Sequence, residues 1–74
     1  MIPLSKLAPG QSGRLHALLP GCPLRERLAD MGLVPGTVIT VLYRAPLKGP
    51  LMIALRGYHL TLRFDAAEAI LIGT

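Results

Sequence analysis

The chain has 74 residues, 51% of them hydrophobic and 16% charged, with eight Lys and Arg against four acids for a net charge of +4. So much apolar content excludes a disordered tail, and the length suits one domain over residues 1–74 with no second. A single cysteine excludes a disulfide framework and a four-cysteine zinc site.

Leu4, Leu7 and the turn Ala8-Pro9-Gly10 form a short lead-in. From Ser12 to Leu18, Gly13, Leu15 and Ala17 alternate with Ser12, Arg14 and His16, which predicts a half-buried strand. Pro20-Gly21-Cys22-Pro23 stops it. The period then changes: Leu24, Leu28 and Met31 lie at i, i+4 and i+7, one helical stripe expected to face the core. Pro23 suits the first helical position. Gly32 is expected as the left-handed residue beyond the helix, with Leu33 closing the stop.

Val34-Pro35-Gly36-Thr37 has the Pro and Gly placement of a type II turn. A strand rich in β-branched residues is expected from Thr37 to Ala45. The loop Pro46-Leu47-Lys48-Gly49-Pro50 leads into a strand from Leu51 to Leu55. Arg56-Gly57-Tyr58 then turns tightly into a strand from His59 to Phe64. A single helical turn over Asp65–Ala69, capped by Asp65, precedes a last strand at Ile70–Ile72. Strand, short helix, then about four strands at roughly ten-residue spacing predicts a mainly β, small closed or partly closed barrel.

The basic residues stand singly and form no run that would track a phosphate backbone or bind anionic lipid. Two tyrosines, one phenylalanine and no tryptophan give little for base stacking, so no nucleic acid is expected. No apolar stretch approaches the ~18 residues of a membrane span. The N-terminus lacks a signal-peptide apolar core, so a cytoplasmic chain is expected. His16, His59, Asp30, Asp65, Glu68 and Cys22 are isolated in sequence, so no metal site and no cofactor are expected. Cys22 has no histidine nearby, and Gly10-Gln11-Ser12-Gly13 lacks the lysine and length of a phosphate loop. No acid, base and nucleophile converge, so the chain is not expected to be an enzyme.

Arg27-Leu28, Met31-Gly32-Leu33, Pro35-Gly36-Thr37 and Arg44-Ala45-Pro46-Leu47, followed by Pro50, Ile53, Arg56-Gly57-Tyr58, Leu60, Leu62-Arg63 and Glu68-Ala69-Ile70, resemble the FeoA family, ferrous iron transport protein A. The resemblance runs from about Leu4 to Ile72, and its specificity lies in the order and spacing of these pieces. It implies an SH3-like β-barrel of about five strands with a helix inserted after the first. It further implies a non-catalytic cytosolic accessory that docks on the cytosolic part of the FeoB ferrous iron transporter and meets the inner membrane only through it. One departure stands out: the family loop usually reads Pro-Leu-Gly-Asp-Pro, and here it is Pro46-Leu47-Lys48-Gly49-Pro50. Related barrels in iron-dependent repressors keep open a regulatory barrel that assembles with a repressor or with itself. A basic nucleic-acid-binding barrel is the remaining alternative.

On the same resemblance, Ile39, Val41 and Tyr43 point inward, and Val38 and Leu42 outward. In the next strand Leu51, Ile53 and Leu55 point in, which leaves Met52 and Ala54 outside. Val38, Leu42, Met52 and Ala54 then form an apolar patch that serves a partner, unless the helix or the N-terminal segment covers it. Val38, Leu42 and Met52, rimmed by Arg25, Arg27 and Arg44, are the expected contact surface. Leu24, Leu28, Met31, Gly32, Pro35, Gly36 and Gly57 are expected to be structural.

Overall fold

Alternating apolar positions build one antiparallel sheet in the computed structural model, which describes residues 1–73. Its strands are β1 (Ile2–Pro3), β2 (Ser12–Leu18), β3 (Val38–Arg44), β4 (Leu51–Leu55), β5 (Tyr58–Leu62) and β6 (Ile70–Gly73). They lie in the order β1-β6-β2-β3-β4-β5, so β1 and β5 are open edges and the barrel is not closed. A 3₁₀ turn over Leu4–Lys6 and two short helices, α1 (Arg25–Asp30) and α2 (Phe64–Glu68), complete the chain. The mainly β expectation holds, with one strand more than anticipated. β1 pairs Ile2 with Ile72 and Pro3 with Leu71, and two residues that include a proline carry no alternation to read.

One face of the sheet is buried. Leu15, Ile39, Val41, Leu51, Ile53, Leu55, Leu62, Ile70 and Ile72 join Leu4, Leu7, Leu28 and Leu33 in a single cluster. A continuous core drawn from both ends of the sheet, within a molecule 26 × 23 × 23 Å across, requires the sheet to curl around it. Each fully buried Leu or Ile contributes about 1.5–3 kcal/mol. At Gly13 the curl is tight, because a Cβ there would lie 2.2 Å from Ile72 Cγ2.

The end of α1 follows the sequence closely. Gly32 has φ +104°, its N–H bonds Ala29 O at 3.0 Å, and Leu33 N–H bonds Leu28 O at 3.0 Å. That pair of bonds is the Schellman pattern, sealed by buried Leu33 and Leu28. Its start is different. The first helical residue is Arg25, not Pro23, and Leu24 before it takes a left-handed backbone at φ 57°. Of the predicted stripe only Leu28 is buried; Leu24 is 59% exposed and Met31 is also exposed. Six residues are fewer than two turns, and Leu24 and Met31 fall on the non-helical caps where helical spacing no longer directs side chains.

The turns keep their expected chemistry. Thr37 N–H bonds Val34 O at 3.1 Å with Gly36 at φ +94°, and Arg56-Gly57, both at positive φ, joins β4 to β5. A second difference lies between β3 and β4. The register runs from Val41 opposite Ile53 to Tyr43 opposite Met52, so Leu42 is an extra residue in β3. Beyond this bulge the parity reverses: Tyr43, expected inside, is 57% exposed, and Arg44 stands opposite buried Leu51. β5 ends at Leu62 and Phe64 opens α2, whose cap residue is Arg63. Asp65 therefore sits in the first turn, where Oδ1 accepts from Ala66 N–H at 2.8 Å and Oδ2 from Arg63 at 2.9 Å.

Candidate functional site

The reactive side chains stay apart. Among the described residues no three His, Cys, Asp or Glu side chains come close enough to hold a metal ion. His16 and His59 are exposed on β2 and β5. Cys22 is buried, with Sγ 3.6 Å from Pro23 O and 4.0 Å from Ala66 O. Burial pushes its thiol pKa up; Arg25 pulls it down and Asp65 adds to the rise. A thiol held neutral is a poor nucleophile and a poor metal ligand. Among the described residues no helix is long and apolar enough to cross a membrane.

What the chain presents is an uncovered sheet face. Thr40 stands opposite Ala54, and Tyr43 opposite Met52, with Ser12 and Arg14 alongside on β2 and His59 and Thr61 on β5. Val38 is 49% exposed, Leu42 39% and Met52 37%. Neither a helix nor the N-terminal segment hides these three. The patch is less continuous than expected, because Thr40 separates Val38 from Leu42 and bonds Ser12 Oγ through its own hydroxyl at 2.6 Å. Tyr43 joins the face; the bulge that turns it outward leaves no mark in the residue types.

The expected arginine rim does not assemble. Arg44 shares the face of Leu51 and donates to Leu7 O at 3.0 Å. Arg25 lies on α1 and donates through Nε to Leu18 O at 3.3 Å. Arg27, also on α1, lines a groove of about 170 Å³ between that helix and β5, with Leu24, Met31 and Leu60. Tyr58 anchors the helix to the sheet through a hydroxyl that donates to Met31 O. Arg56 reinforces this end: it donates to Thr37 Oγ1 at 3.3 Å, and that hydroxyl donates to Gly32 O at 2.8 Å. The groove joins segments some thirty residues apart, and no local pattern announces it.

Comparison with known proteins agrees with this geometry. The FeoA domain model matches residues 2–73. The solution structure of FeoA from Chlorobium tepidum superposes with a TM-score of 0.86 at 35% identity, covering 96% of this chain and 68% of that one. FeoA from Stenotrophomonas maltophilia, solved in complex with zinc and described as a procaryotic SH3 domain protein, has a TM-score of 0.85 at 19% identity over 99% and 91% of the two chains. A manganese-dependent transcriptional repressor shares the fold over 96% of this chain and 35% of its own, with a TM-score of 0.86 at 23% identity. Among curated proteins no sequence matches. The open SH3-like sheet and the match over nearly its whole length place this chain in the FeoA domain family, which is associated with ferrous iron transport.

Proposed function

We propose that this chain is a non-catalytic cytosolic accessory of ferrous iron transport that docks on the cytosolic part of a FeoB-type transporter. The observation that carries this is the uncovered sheet face, where Val38, Leu42 and Met52 are held out by paired strands. Exposed apolar groups on a rigid sheet offer a surface for another protein, and methionine adapts to the surface it meets. Arg14, Arg25, Arg44 and Arg56 each donate to a group of their own chain, which argues against a free cationic track for nucleic acid. Docking changes transport only if the module binds one state of the transporter more tightly than another.

A binding titration against the purified cytosolic region of the transporter tests this. Met52→Glu places a charge within the apolar face and is expected to weaken binding at least tenfold, about 1.4 kcal/mol, with the fold intact. Unchanged affinity dismisses this face. No binding by the unsubstituted chain dismisses the transporter.

A further inference from the structure

The two edges of the sheet are treated differently. β1 is two residues long and contains Pro3, which cannot extend a ladder. β5 is five residues long, with no proline, lysine or carboxylate within Tyr58–Leu62. Its first residue, Tyr58, pairs with Leu55 across the two-residue turn Arg56-Gly57. The closing pair of such a hairpin exchanges both its hydrogen bonds, and alternation then commits the backbone groups of Tyr58, Leu60 and Leu62 to β4. Those of His59 and Thr61 point away from the sheet. Among the described residues, no backbone hydrogen bond links β5 to any element but β4.

The α1 groove runs beside this edge. Leu24, Leu28 and Met31 form its helix wall and Leu60 its sheet wall, with Arg27 and Arg63 also lining it and no carboxylate among the lining residues. Arg63 pairs with Asp65, whereas Arg27 has no ion-pair partner among the described residues. We propose that β5 accepts an extended segment of a partner protein as an added strand, seating an apolar side chain in this groove and setting acidic residues near Arg27 and Arg63. A strand bonded to His59 and Thr61 turns the residue opposite Leu60 toward the groove, and residues two positions away share that face. A second copy of the chain is the poorer occupant, since pairing through β5 brings Arg27 and Arg63 of two chains, each carrying +4, together. The site uses the backbone edge and the groove side of β5 rather than the side chains of Val38, Leu42 and Met52, and it does not require the partner to be a transporter.

Selection of a displayed library of linear octapeptides on the purified full chain provides the test. Enriched peptides are expected to carry an apolar residue with Asp or Glu two positions away, and to shift the amides of His59 and Thr61 in spectra of the ¹⁵N-labelled chain. Thr61→Pro deletes an outward N–H without touching the β4 bonds and is expected to weaken the best peptide at least tenfold, whereas Thr61→Val keeps its affinity within twofold. N-methylation of the peptide at positions facing β5, but not at the alternate ones, has the same effect and settles the matter should Thr61→Pro misfold. The proposal is overturned if no peptide is enriched, if N-methylation is without effect, or if the shifts fall on Val38, Leu42 and Met52. It is also overturned if sedimentation shows the chain pairing with itself through β5.

Discussion

Lys48 occupies a place that suits glycine. It and Leu47 both have φ +58° at the centre of a turn closed by Gly49 N–H to Pro46 O at 3.1 Å. A left-handed backbone costs a residue with a Cβ about 1–2 kcal/mol, partly offset by the greater unfolded freedom of glycine. Lys48→Gly is therefore expected to stabilise the chain by about 1 kcal/mol and raise its melting temperature by a few degrees in thermal unfolding. Cys22 makes a pH-dependent contribution of definite sign. Its thiol pKa is raised above the ordinary value of 9.0, chiefly by burial. The folded state thus favours the neutral thiol; its advantage is full below pH 9.0 and is lost as pH rises from there through the folded value. The resistance of the native chain to urea is expected to fall more above pH 9.0 than that of Cys22→Ala. Equal slopes would show that the thiol is free of the core.

Among the elements, α1 depends most on one position. Gly32→Ala keeps every side-chain contact of Leu28 and Leu33 but places a Cβ at φ +104° and 3.0 Å from Arg56 Cδ. The expected loss is about 1–2 kcal/mol, with faster amide exchange at Leu33 as its local signature. The helix stop was legible because Gly32 followed by Leu33 is a local signal, as is the Pro35-Gly36 turn. The start was not, because the left-handed backbone at Leu24 answers to the packing of Cys22 and Leu28 on either side of it rather than to its own residue type. The family resemblance, carried along the strands by alternation, exposed Val38, Leu42 and Met52 correctly but missed Tyr43, since nothing in Val38–Arg44 marks where an extra residue enters. The arginine rim failed for a related reason: long side chains settle on whichever carbonyl the tertiary fold brings near, Leu18 O for Arg25 and Leu7 O for Arg44.

For the whole molecule, the margin is narrow. At ~0.05–0.15 kcal/mol per residue, a chain of 74 residues is stable by about 4–11 kcal/mol. Ile53, fully buried at the centre of β4, is expected to lose about 2–5 kcal/mol on truncation to Ala. Its neighbour Met52 faces outward, and Met52→Glu is expected to change stability by no more than about 0.5 kcal/mol. Chemical denaturation of the two variants side by side checks which face of the strand is which, independently of any binding partner. The pairing of β1 with β6 reaches further. Ile2 sits across from Ile72 at one strand spacing, about 4.5–5.5 Å between Cα atoms. A linker of a few residues from Gly73 to Ile2 would close the backbone into a ring, and cutting that ring at the exposed Leu47-Lys48 tip would give a circular permutant. All the ladders would persist while the distances along the chain between paired strands changed, which separates how fast the sheet assembles from how firmly it holds.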